Sequence, residues 1–380
     1  MSALESNFPS RVKLEVDSAK LLANFEAIRR RVAPCRILTV LKANAYGTGA
    51  DFMSKLAVKA GAVRIGVADL KEALAIQRSI GKALPVQILG VVTPDELPVA
   101  VANDVVLPIG GLDMAKAVSA EAVRQQKTAT AHLILDTGMG RFGWLEGFYR
   151  DEIKAVAQLP GLKIEGLYSH FPCAGIPGEA GTVAQIEQFK AEYSQLADDG
   201  IEFAYRHIAA SDGILCQKAS SNAPFNLVRL GLCWYGICRN PGEEEIGLIP
   251  ALRLTTQVGA VRTLPAGFTV GYNRTVKLTK PTTVATICVG YADGLPLALS
   301  NTGRVLINGT SCPILGRVSM DYTMVDVSNV PGEVKWGTTV TLFGKDGSEY
   351  VGSAEYAQHK NTHVHDILCA LGNRVERIYR

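Results

Sequence analysis

Several short apolar runs in the first 240 residues end on groups that could do chemistry. Lys42 closes one and is followed by the turn Ala43-Asn44-Ala45-Tyr46-Gly47. Asp136 closes another and leads into Thr137-Gly138-Met139-Gly140-Arg141. A third ends at His170, a fourth is followed by Ser211, and a fifth carries Arg229 ahead of Gly231. Lysine is seldom buried unless paired or functional. One reading makes Lys42 a snorkelling side chain at a domain rim. The other makes it a Schiff-base lysine, its amine kept neutral by desolvation and by cations at Arg141, Arg229 and His170. Ser211 and the N–H groups of Gly231 and Leu232 would then form an anion site. An amine facing an anion site is what pyridoxal phosphate requires. No Asp, Glu or His set with divalent-metal spacing accompanies these positions.

Strand-like runs at Arg36–Leu41, Val63–Val67, Val86–Leu89, Val105–Leu107, Ala131–Leu135, Ile164–Ser169, Arg206–Ala209 and Leu227–Arg229 would carry these groups, with helix-like segments between most of them. The first helix is predicted after Asp17, with Leu21, Phe25, Ile28 and Val32 at helical spacing. Eight such repeats point to an α/β fold, a (β/α)8 TIM-like barrel, whose active sites collect where strands end. The alternative, an open doubly wound sheet, lacks its GxGxxG fingerprint. After about residue 240 the pattern changes to short β-branched strings punctuated by glycine, which predict a C-terminal antiparallel β domain with one helix near Ala354–Leu371. The expected domains are 1–244 and 245–380, with the first strand-like residues able to join the second.

The composition narrows the function. With 47% hydrophobic and 20% charged residues, the 380-residue chain is globular rather than disordered. A net charge of +3 gives no basic footprint for nucleic acid. No apolar run approaches the roughly 18 residues that span a bilayer, and the first residues carry no secretory core, so a cytoplasmic protein is expected. The eight cysteines, without a CxxC pair, read as free thiols.

The strings VLKANAYGTG, LDTGMGRFG, YSHF, AASDG, VRLGLCWYG, VGYNRT, VGYADG and GRVSMD, in this order, resemble segments of the alanine racemase family over nearly the whole chain. The resemblance implies pyridoxal phosphate on Lys42 and racemisation of a small amino acid between two bases. Lys42 would serve one face of Cα, and Tyr272, donated by a partner subunit, the other. It further implies Tyr46, Ser211, Gly231 and Leu232 around the phosphate, Arg229 at the pyridine nitrogen with His170 beside it, and Arg141 at the substrate carboxylate. Met320 and Asp321 of the partner would line the substrate end, and Tyr291 the access corridor. A homodimer with composite sites follows. A tyrosine base needs positive charge to lower its pKa from near 10, which an Arg229–His170–Tyr272 chain would supply.

Three positions depart from the family pattern. Ile134 stands where many relatives carry a carbamylated lysine, so Arg141 would need another orienting group, a bound anion or a side-chain amide. Asn373 stands where many have tyrosine; members that accept serine also carry asparagine there, which raises serine or broad specificity as an alternative to alanine. Leu295-Pro296-Leu297 replaces an aromatic-Pro-Arg string, so the corridor loses a cation. Two other classes fit less well. Decarboxylases of basic amino acids would need a cysteine in a different C-terminal string, and a barrel-only cofactor-binding protein would lack the β domain and Tyr272. His359, His363 and His365 with Asp366 read as a surface-polar segment apart from the site, with no metal expected.

Overall fold

The computed structural model describes residues 9–145, 147, 149–237 and 246–380. Cys238 and the expected 244/245 boundary lie outside the described residues. The chain divides into two compact units: one holds Leu21–Ala45 and Ala50–Ile249, the other holds residues 9–20, Tyr46–Gly49 and Pro250–Arg380.

Strand β1, Val12–Val16, opens the chain and pairs antiparallel with β10, Leu252–Leu264, so the first strand-like residues do join the β unit. Asp17 then caps helix α1, Ser18–Val32, by accepting from the Lys20 N–H at 3.1 Å. Leu21, Phe25, Ile28 and Val32 of α1 are buried as their spacing predicts.

The first unit is a parallel barrel. Its strands are β2 Arg36–Val40, β3 Arg64–Val67, β4 Val86–Ile88, β5 Leu107–Ile109, β6 Ala129–Ile134, β7 Leu162–Tyr168, β8 Tyr205–His207 and β9 Leu227–Leu230. They form two four-stranded parallel sheets, β4-β3-β2-β9 and β5-β6-β7-β8. Two seams close them. Ile88 N–H donates to Val106 O at 3.0 Å and Val106 N–H to Val86 O at 2.9 Å. On the other side, Asn226 N–H donates to Arg206 O at 3.1 Å and Arg229 N–H to Ala209 O at 3.0 Å. Closure leaves the inward side chains a packed interior in which loops after the strands gather at one rim. The fourth predicted strand, Val105–Leu107, is displaced to Leu107–Ile109: at Val106 the chain serves the seam, and the Pro108 ring adds no donor to the ladder.

In the second unit, β10, β13 Thr282–Ile287, β16 Thr323–Asp326, β15 Thr310–Leu315, β14 Arg304–Ile307 and β17 Thr339–Asp346 pair antiparallel in that order, and β17 returns to β10. The six strands thus close on themselves. The short hairpin of β11 Thr269–Val270 and β12 Val276–Lys277 stands apart, β18 Glu349–Val351 pairs with β17, and β1 extends the closed sheet and pairs in parallel with the last strand, β19 Val375–Tyr379. The single helix expected over Ala354–Leu371 is instead two, Ser353–His359 and Val364–Cys369. Asn361 adopts a left-handed φ of 52°, which ends the first helix, and the Thr362 N–H turns back to Ala357 O at 2.9 Å. His359 and His363 therefore do not share a helix face. His365, read as remote from the site, lies edge-on to the Tyr46 ring at 5.4 Å. The seven described cysteines are free thiols, and among the described residues no helix is long and apolar enough to cross a membrane.

Candidate active site

The barrel unit holds Lys42, Arg141, His170, Ser211, Arg229, Gly231 and Leu232. Tyr46, Tyr272, Tyr291, Met320, Asp321 and Asn373 belong to the second unit.

Lys42 follows β2 and is exposed. The next four residues, Ala43, Asn44, Ala45 and Tyr46, all have φ between 52° and 56°. A left-handed turn costs an L-residue roughly 1–2 kcal/mol per position, so neighbours must hold it. The Glu72 carboxylate accepts from Ala43 N–H at 2.5 Å and from Ala68 N–H at 2.9 Å. The Tyr235 hydroxyl donates to Ala45 O at 2.9 Å, and Asn44 Oδ1 accepts from Ala50 N–H at 2.8 Å. This bracing fixes the backbone from which the amine projects. Glu72→Ala should lower unfolding stability by about 1–3 kcal/mol, the usual loss for hydrogen bonds to a charged group. A denaturation series showing no change would place the restraint elsewhere.

Arg141 ends a loop wrapped around one carboxylate. Asp136 accepts from the N–H groups of Gly138, Met139, Gly140 and Arg141 at 2.8–3.0 Å. Burial alone would raise the Asp136 pKa, but these four donors hold it below the ordinary carboxylate value. The Arg141 guanidinium lies 4.6 Å from the centre of the Phe142 ring. Ile134 is buried and apolar beneath this loop. The orienting contact seen is an aromatic face, where the sequence suggests an anion or a side-chain amide.

Arg229 is buried on β9. Its Nη2 donates to Ser169 O at 2.9 Å and Ile208 O at 2.8 Å, and lies 3.1 Å from His170 Nδ1. Its Nη1 lies 2.9 Å from His207 Nδ1. These contacts engage both terminal nitrogens and leave Nε as the donor outside them. Burial lowers the guanidinium pKa to about 10, so the group stays charged at neutral pH.

His170 is expected among the cations; its surroundings make it neutral. Burial, then Arg229, Arg141 and Lys42, push its pKa down to about 3. Because Nδ1 faces an arginine, which only donates, the ring proton belongs on Nε2. His132, lowered to about 4, and His207, lowered well below its ordinary value, are likewise kept neutral chiefly by burial. All three imidazoles are held below the ordinary value near 6.5. Between about pH 6.5 and 4 the unfolded chain therefore binds protons that the folded chain refuses, and stability falls as pH falls. Melting curves should show the midpoint dropping across that window; a flat profile would mean that these imidazoles charge in place.

Ser211 begins the helix Ser211–Cys216, and its Oγ accepts from Cys233 N–H at 3.2 Å. Gly231 and Leu232 open the turn Leu232–Tyr235, where the first N–H groups have no acceptor within the turn. Hydroxyl and amides thus converge as an anion cradle, which suits a phosphate.

In the second unit, Tyr291, Met320 and Asp321 are brought together. Tyr291 N–H donates to Ser319 O at 3.0 Å, and Ala292 N–H to Met320 O at 3.1 Å. Arg374, next to the exposed Asn373, ties to Asp321 at 2.7 Å and to Asp293 at 3.6 Å. Tyr272 opens a short turn after Gly271, whose φ of 73° suits glycine, and its side chain is 70% exposed. Tyr46 is buried. Glu72, Tyr168 and His207 carry no signal in the sequence. They act through contacts between distant segments, whereas Asp136 is visible as an acid closing an apolar run and the structure adds its role as the acceptor that folds the Arg141 loop.

The comparisons agree along the chain. The model for the alanine racemase N-terminal domain matches residues 16–239, and that for the alanine racemase C-terminal domain matches residues 251–379. An alanine racemase of Symbiobacterium thermophilum is 35% identical over 367 residues, covering 96% of each chain. One of Carboxydothermus hydrogenoformans is 37% identical over 368 residues, covering 96% of this chain and 98% of that one. The crystal structure of alanine racemase from a D-cycloserine-producing Streptomyces lavendulae superposes with a TM-score of 0.91 at 30% identity, covering 98% of both chains. That of the Bartonella henselae alanine racemase, with covalently bound pyridoxal phosphate, gives 0.88 at 27% identity, covering 98% of this chain and all of that one. With both domain models matched and relatives aligned almost end to end, the chain belongs to the alanine racemase family.

Proposed function

We propose that this chain interconverts L- and D-alanine, with pyridoxal phosphate held covalently at Lys42 and Tyr272 of the partner subunit as the second base. The observation that carries the reading is geometric: Arg229 lies 3.1 Å from Nδ1 of the half-buried His170, Arg141 lines the same small cavity, and Lys42 stands near enough to act on the same neutral imidazole at the rim of the barrel. The donors present fit the cofactor: an amine at a strand end, a hydroxyl–amide cradle for phosphate, and a guanidinium with Nε left over for a ring nitrogen. When bound, the cofactor delocalises the electron pair left at Cα as the proton departs.

The chain's own residues do the rest. Arg141 holds the substrate carboxylate. Lys42, once the substrate amine has displaced it, takes or returns the proton on one face of Cα. Tyr272 of the partner subunit does the same on the other, so neither base crosses the cofactor plane. His170 aids the tyrosine by donating from Nε2 to its oxygen, while the positive charge comes from Arg229 behind it. Tyr46, Ser211, Gly231 and Leu232 hold the phosphate. Met320 and Asp321 of the partner subunit close the substrate end, and Tyr291 lines the approach. Serine specificity, raised by Asn373, finds no support in relatives that are all named alanine racemases. The seven described free thiols suit a reducing, cytoplasmic setting.

The test is deuterium exchange at Cα of L- and D-alanine, run with added cofactor, together with borohydride trapping and peptide mass mapping. Exchange of both enantiomers and a label on the Lys42 peptide are expected. No exchange, or a label elsewhere, overturns the reading. Arg229 supplies a further prediction. An arginine only donates, so the ring nitrogen beside it stays unprotonated, whereas a carboxylate would favour the protonated ring. Arg229→Glu should lose racemase rate and gain long-wavelength absorbance; unaltered spectra and rates would remove Arg229 from the ring nitrogen.

A further inference from the structure

Arg229 is linked to the barrel interior by groups to which the reaction gives no task. His207 Nε2 lies 3.0 Å from His132 Nδ1, and His132 Nε2 faces Glu165 Oε2 at 3.5 Å. Arg64 binds the same carboxylate oxygen, and Lys163 approaches the other at 3.8 Å. Both imidazoles are fully buried. Tyr168 stacks on His207 with ring centres 4.9 Å apart, and Tyr205 on His132 at 5.8 Å. Gly166 permits the close approach, since a Cβ there would collide with the His132 ring.

The proton positions follow from one end. Arginine cannot accept, so His207 Nδ1 accepts from Arg229 and the His207 proton sits on Nε2. That proton points at His132 Nδ1, which must then accept, and the His132 proton falls on Nε2, facing the carboxylate. Protonating either ring would set two donors against each other. We infer that His207 and His132 form a one-directional hydrogen-bonded column, closed electrostatically by the Glu165 carboxylate 3.5 Å from His132 Nε2, that positions the Arg229 guanidinium, every N–H in it pointing from Arg229 toward Glu165. Links aligned in one sense polarise one another. A carboxylate two rings away thereby strengthens the acceptor at His207 while staying clear of the cofactor. The neutral state of both rings and the low pKa of Glu165, held to about 2 first by His132 and also by Arg64, agree with this. The column's catalytic role rests on the reading that Arg229 faces the ring nitrogen; its proton order does not.

Two measurements on the holoenzyme test it. Nitrogen-15 spectra of histidine-labelled protein, with His132 and His207 assigned by substitution, should show both rings protonated at Nε2. A proton on Nδ1 of either ring overturns the column. His207→Phe should lower kcat about tenfold or more with the alanine KM within about twofold, and shift the cofactor absorbance. His207→Asn, whose Oδ1 can accept from Arg229, should recover most of the rate. Glu165→Gln, which keeps an acceptor but removes the charge, should lower kcat less and move the His207 Nδ1 resonance. A wild-type kcat in His207→Phe, or no recovery in His207→Asn, overturns the positioning role. Unchanged cofactor absorbance in Arg229→Lys, beside the expected proton pattern, overturns the ring-nitrogen reading and with it the catalytic role, leaving the proton order intact.

Discussion

Lys42→Ala is expected to abolish racemisation in both directions, by about 10³-fold or more, because one side chain holds the cofactor and moves the proton. The two losses can be separated. Without the covalent bond, cofactor should leave on dialysis and the visible absorbance with it. Added methylamine can restore a free base but not a tether, so partial rescue of exchange should appear only with cofactor in excess. The fold should survive, since Lys42 is exposed and the left-handed turn after it is braced by Glu72, Tyr235 and Asn44. A dialysed Lys42→Ala enzyme that kept more than about a hundredth of the native rate would remove Lys42 from the chemistry.

Legibility from sequence followed the range of the forces involved. The eight barrel strands were visible because each is a short apolar run bounded by turn residues, and the helix from Ser18 because Asp17 and four apolar positions repeat at its period. Strand ends could be searched for polar groups because a barrel collects them at one rim. The split of the last helix was less visible, since it depends on Asn361 taking a left-handed backbone that its neighbours do not dictate. The charge of His170 is not legible in the sequence for a related reason. Near pH 6.5 an imidazole is finely balanced, and burial beside three cations decides it; neither appears in a string of letters. Glu72 and Glu165 stayed hidden because their partners, Ala43 and His132, lie 29 and 33 residues away.

Tyr272→Phe tests both the second base and the assembly. Tyr272 is 70% exposed in the single chain, so removing one hydroxyl should change stability by no more than about 0.5 kcal/mol. Its loss should nevertheless lower racemisation by about 10²–10⁴-fold. The defect should be one-sided: Lys42 still exchanges the Cα proton of one enantiomer with solvent, while conversion to the other stops. Mixing makes the partner's part measurable. In a mixed dimer of Lys42→Ala and Tyr272→Phe chains, the site built on the intact Lys42 receives the intact Tyr272 of the partner subunit, and the other site lacks both. Random re-pairing of equal amounts makes half the dimers mixed, each with one of two sites whole, so about a quarter of native activity should return. If Tyr272 served the barrel of its own chain, every site in the mixture would lack one base and no activity would return.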